Sequence, residues 1–141
     1  MNRLLFFIAM LTCAVCALAD TPEQTAARRT ALDLAGAFSN DGFKIRDGHW
    51  AGVLWPKDQP LIQVNLYAGN QYWFIAGAGE KAKKIAVSVF DEAGQPVKVE
   101  PFAEGSRAAA GFSPETSGPY FVRVEELEGE PAAFCLVYSY K

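Results

Sequence analysis

Between Leu61 and Tyr140 apolar residues recur at every second position, and this period constrains the chain more than any other feature. Ile62, Val64 and Leu66 alternate with Gln63, Asn65 and Tyr67. Ile85, Val87 and Val89 share one parity, and Tyr120, Val122 and Val124 alternate with Phe121, Arg123 and Glu125. Phe134, Leu136, Tyr138 and Tyr140 share another. Successive side chains of a strand point to opposite faces, so these segments predict half-buried antiparallel strands. A slip of one residue would turn every apolar side chain outward, so the pattern also names the inward set. Weaker strand signals lie in the Trp50–Trp55 region and at Gln71–Ala76, Pro96–Glu100 and Arg107–Phe112. Turn signals such as Ala68-Gly69-Asn70, Ser117-Gly118-Pro119 and Glu128-Gly129-Glu130-Pro131 separate them. About eight short strands at this spacing predict an all-β fold, a sandwich or a barrel, over residues 42–141.

The chain before that region has a different period. Thr21 is suited to cap a helix, Pro22 to open it, and Glu23 to its positive end. Ala26, Ala27, Ala31, Leu34, Ala35 and Phe38 then recur at three and four residues, and Ser39-Asn40-Asp41-Gly42 stops the helix. A helix this short and Ala-rich is marginal alone, so residues 20–41 are expected to pack on the sandwich. Trp73, Ile75, Phe90 and Phe121 have the parity opposite to the inward set. An outer face that meets water should be polar, so the helix is expected to cover most of these residues; otherwise they form a partner-binding patch.

Residues 1–19 read as an export signal. Arg3 is followed by an apolar run from Leu4 to Leu18 and by Ala17-Leu18-Ala19, a small-x-small cleavage pattern. The run is short of the ~20 residues that span a bilayer. Cleavage after Ala19 would remove Cys13 and Cys16, leaving Cys135 as the one thiol and no internal disulfide. The chain is therefore expected to be exported, periplasmic or secreted, and to rely on its core rather than on a staple.

The strand wording resembles the bacterial pre-peptidase C-terminal (PPC) domain. Gln63-x-Asn65-Leu66-x-Ala68-Gly69-x-x-Tyr72-x-Phe74 is followed by Ile85-x-Val87-x-Val89-x-Asp91-x-x-Gly94. Then come Ser117-Gly118-x-Tyr120-x-Val122-x-Val124 and a closing Phe134-x-Leu136-x-Tyr138. The resemblance runs from about Gln59 to Tyr140 and implies a small exported antiparallel jelly-roll β-sandwich. Related modules usually stand behind a secreted peptidase, and some bind collagen. Some hold calcium near the start of the domain, where this chain offers only Asn40, Asp41 and Asp47.

Composition narrows the chemistry. Half the residues are hydrophobic and 21% are charged, which disfavours wholesale disorder. A net charge of −3 disfavours nucleic acid, whose binding needs Lys and Arg to displace counterions. His49 is the one imidazole, and no serine sits in a nucleophile elbow. Gly77-x-Gly79 leads into another strand and not a helix, so it predicts a hairpin loop rather than a phosphate cradle. No HExxH is present for zinc, and the chain after Ala19 carries no CxxC. Glu125, Glu126, Glu128 and Glu130 are expected to be a solvated acidic edge. No enzyme activity, metal or cofactor is expected.

The better hint is aromatic. Trp50 and Trp55 lie in one stretch, just after Arg46 and His49. These four are the candidate ligand-binding residues, with the two indoles either core or a stacking platform. Two function classes follow. One is a non-catalytic binding or accessory module of the cell envelope or exterior that holds a glycan or a protein. The other is an assembly subunit that pairs through its outer sheet face or an edge strand. A monomer or weak homo-oligomer is expected, with no nucleic acid partner and no membrane association once the signal is cleaved.

Overall fold

The computed structural model describes residues 20–141, so the expected signal at 1–19 lies outside the described residues. Among the described residues one helix, α1 (Pro22–Ser39), precedes nine strands. These are β1 (Lys44–Ile45), β2 (Trp50–Leu54), β3 (Leu61–Leu66), β4 (Tyr72–Ala78) and β5 (Ala82–Phe90). Then come β6 (Glu100–Glu104), β7 (Arg107–Phe112), β8 (Gly118–Gly129) and β9 (Ala132–Tyr140). Every pairing is antiparallel. The larger sheet runs β1-β9-β4-β7-β6, with β2 also on β9; the smaller runs β3-β8-β5. The alternation of β2-β9-β4-β7 with β3-β8-β5 is a jelly-roll-like sandwich.

The core between the sheets is built from the predicted parity. Val64, Leu66, Ile85, Val87, Val89, Tyr120, Val122, Val124, Leu136 and Tyr138 all lie in it, and Ile62 packs at its margin. Phe74, Leu54 and Phe134 complete it. The strand expected at Pro96–Glu100 is not there. Pro96 makes one isolated bridge to Phe90, and β6 begins only at Glu100. Proline has no N–H to give a ladder, and Pro101 is tolerated because β6 is the outer strand of its sheet. The expected turn at Glu128-Gly129-Glu130-Pro131 does separate β8 from β9, but it is shorter, because β8 continues to Gly129.

Thr21 and Gln24 close a capping box at the start of α1. Thr21 Oγ1 accepts from the Gln24 amide at 3.2 Å, and Gln24 Oε1 accepts from the Thr21 amide at 3.0 Å. The buried stripe Ala27, Ala31, Leu34 and Ala35 lies on the outer face of the larger sheet, against Ile75, Ala109, Ala133, Cys135 and Val137. Gly77 sets how closely the helix approaches. A Cβ there would sit 2.5 Å from the Ala31 nitrogen and 2.6 Å from the Ala27 oxygen, so helix backbone lies directly on strand backbone. At the far end Phe38 stacks on Trp73 with ring centroids 4.3 Å apart. Gly111 makes room for that indole, since a Cβ there would come within 2.9 Å of it.

Candidate functional site

The four outward aromatic and aliphatic residues do not share one surface, contrary to the expectation that the helix covers most of them. Trp73 and Ile75 belong to the larger sheet and lie under α1. Phe90 and Phe121 belong to the smaller sheet, where they are direct cross-strand partners. Parity tells which residues share a strand face, but not which of two sheets the strand joins.

The outer face of the smaller sheet is half-exposed and largely apolar at one end. Phe121 on the central strand β8 is flanked by Phe90 on β5 and Gln63 on β3. Leu61 lies opposite Arg123 and is 59% exposed. The Arg123 guanidinium lies 4.8 Å above the Phe90 ring, and its Nη2 reaches Glu125 Oε1 at 3.5 Å. Glu125 Oε2 accepts from Gln59 Nε2 at 3.0 Å. A shallow cavity of about 340 Å³ opens here, lined by Gln59, Leu61, Phe90, Glu92, Phe121 and Arg123. A larger recess of about 560 Å³ lies at the end of the helix seat, where Phe38 and Trp73 meet Asp41, Glu100 and Lys141.

Of the sequence-derived site residues, two meet and two stand apart. Arg46 and Trp50 come together with Tyr138, the guanidinium carbon 5.8 Å from the Trp50 centroid and 5.2 Å from that of Tyr138. Trp50 is half-buried, with its ring 6.0 Å from Tyr138 and nearly parallel to it. Trp55 lies beyond the other end of β2, an odd number of positions along and so of opposite parity, and is 54% exposed. At strand rise it is roughly 16 Å from Trp50, too far to share one small ligand. His49 is exposed just before β2. Tyr138 was assigned inward by parity, but its neighbourhood with Arg46 needed the pairing of β1 and β2 along β9.

The titratable groups contain one surprise. Glu126 was expected on a solvated edge, yet it is only 2% exposed and neither carboxyl oxygen has a hydrogen-bond partner. It has the parity of Val122 and Val124 and so faces inward once β8 runs on past Glu125. Burial pushes its carboxyl up from the usual carboxylate range. Burial likewise pushes the Cys135 thiol up to about 11, and it lies fully buried beneath α1, which leaves it a packing residue. Burial raises the Tyr138 hydroxyl, with Arg46 opposing. Among the described residues no three His, Cys, Asp or Glu side chains group to hold a metal, and no helix is long and apolar enough to cross a membrane.

No protein-family model matches this chain, and no curated protein does.

Proposed function

We propose that the protein is a non-catalytic binding module, exported to the cell envelope or exterior, that holds a protein partner on the outer face of its smaller sheet. One observation carries this reading: α1 covers the middle of one outer face, over β4 and β9, while the other presents the Phe90–Phe121 pair beside exposed Leu61. Two rings and a leucine ringed by Gln59, Glu92, Arg123 and Glu125 have the composition of an interface centre with a polar rim. The strand resemblance to the pre-peptidase C-terminal domain supports an accessory rather than a catalytic role, and the apolar run before Asp20 supports export.

A photo-crosslinking residue at Ser88 tests the reading. Ser88 is the cross-strand partner of Arg123 and has the parity of Phe90. In producing cells, Ser88 should yield a discrete heterologous adduct, and Glu104 on the other sheet's edge should not. An adduct of twice the chain's mass would instead favour the assembly subunit. Equal labelling from both positions would contradict the assignment of the face.

A further inference from the structure

A sheet edge exposes unpaired N–H and C=O groups, and folded proteins blunt their edges with charge, proline, bulges or cover. Among the described residues β3 is the edge strand without such a device. β6 carries Glu100, Pro101 and Glu104. β5 carries Lys83, Lys84 and a break in register. Neighbouring turns also close β5: the Ile85 amide donates to the Gly105 carbonyl at 3.2 Å, and the Val97 amide to the Val89 carbonyl at 3.0 Å. β1 and β2 line the other edge of the larger sheet as two short strands parted by Asp47-Gly48. β3 reads Leu61-Ile62-Gln63-Val64-Asn65-Leu66, with no charge and no proline, and its register on β8 is unbroken.

The hydrogen bonds tell which groups of β3 are open. The Val124 amide donates to the Pro60 carbonyl at 3.3 Å. Along an antiparallel strand, residues turn both main-chain groups alternately toward and away from the neighbour. Ile62, Val64 and Leu66 share the parity of Pro60 and so serve β8, while Leu61, Gln63 and Asn65 turn theirs to the open side. Among the described residues no main-chain group outside the ladder bonds them. The run stops at Tyr67, whose amide donates to the Tyr72 hydroxyl at 2.9 Å. The open ladder is therefore Leu61–Asn65, centred on Gln63.

This edge is complementary to itself. A second β3 laid antiparallel, with Gln63 opposite Gln63, sets Leu61 opposite the second copy's Asn65. Every open group then has a partner, about six main-chain hydrogen bonds in all. Parity is kept, so half-buried Ile62 lies beside the second copy's Val64, and no like charges meet across the axis. Leu61 and Tyr67 are the most exposed large hydrophobic residues among those described, at 59% and 65%, and they stand at opposite ends of the run. In this register each Leu61 is the diagonal neighbour of the second copy's Tyr67, a separation that an aromatic side chain bridges. The main chain alone would accept any strand; the placement of Leu61 and Tyr67 singles out a second copy.

We propose that two copies of this protein pair through β3 about a two-fold axis at Gln63, joining their smaller sheets into one. Phe90 lies on β5, with β8 between it and β3, so this contact leaves the Phe90–Phe121 pair open and goes beyond the reading above.

Sedimentation equilibrium of the chain from Asp20 to Lys141, over roughly 1 µM to 1 mM, should show a monomer passing to a dimer and no further. Gln63→Pro deletes an N–H that β8 does not use, and it should weaken the dimer at least about tenfold, with thermal unfolding reporting whether the fold stands. Under mild oxidation Gln63→Cys should form a covalent dimer, because facing Cα atoms of a hydrogen-bonded pair are roughly 5.5 Å apart. Leu61→Cys and Asn65→Cys should not, since each position lies roughly 14 Å from its own copy at strand rise. Cys135 is buried and does not compete. This cysteine pattern decides the matter even if the proline variant folds poorly. Phe121→Ser should leave the dimer intact, so failure here and failure of the protein-binding face are told apart. A monomer throughout the range, a dimer indifferent to Gln63→Pro, or equal cross-linking at Leu61, Gln63 and Asn65 would overturn the proposal.

Discussion

Glu126 shows how one side chain can escape a sequence pattern. Its neighbours Glu125, Glu128 and Glu130 are what water would favour, and the run looks like an exposed edge. The strand carries its parity two residues further than the apolar alternation does, and Glu126 is taken inside with it. Only charge was legible there, and charge pointed the wrong way. Because its folded pKa is raised, the folded state binds the proton more tightly than the unfolded chain. The protonated carboxyl is therefore tolerated at low pH, and stability is lost as pH rises from the usual carboxylate range through the raised value. Glu126→Gln should stabilise the protein at neutral pH by about 1 kcal/mol, with a smaller gain near pH ~4.5. Urea titrations of both proteins at the two pH values check this. A gain that grows toward low pH would show that the carboxylate is stabilising where it sits.

At the level of elements, periodicity made the strands and their inward faces legible. Val87 and Ser88 are adjacent on β5, the first 6% exposed in the core and the second half-buried on the outer face. Val87→Asp should cost about 3 kcal/mol or more by burying an unpaired charge, whereas Ser88→Asp should cost under about 1 kcal/mol. Equal losses in thermal unfolding would mean that the register is wrong. The helix was legible from its cap and alanine stripe, but its seat was not. Nothing in Gly77-x-Gly79 announces that a helix backbone will rest on the first glycine. Gly77→Ala should lift α1 and cost about 1–3 kcal/mol, the range for overpacking a close contact. Hydrogen exchange in residues 22–39 should quicken relative to the sandwich core. An unchanged exchange rate would place the helix off this glycine.

For the whole molecule, the sandwich was legible because alternation and turn spacing recur from Leu61 to Tyr140. The division of outward residues between two sheets was not, because sheet membership depends on contacts far apart in sequence. Phe90 meets Phe121 and Trp73 meets Phe38 only after the jelly-roll order has sorted the strands. The candidate Arg46–Trp50 pair was legible as a local cluster, while the distance to Trp55 emerged from the strand between them. The export signal belongs to this scale too. Intact mass of the exported protein should correspond to a chain starting at Asp20, and a mass retaining residues 1–19 would end that expectation. The central claim is that one outer face is structural and the other is free to bind. Hydroxyl-radical footprinting of the isolated chain from Asp20 to Lys141 tests it most directly. Leu61, Phe90 and Phe121 should be oxidised readily while Ile75 and Val137, buried under α1, stay protected; oxidation of Ile75 or Val137 at the rate of Leu61, or protection of Phe90 and Phe121 in the isolated monomer, would contradict it.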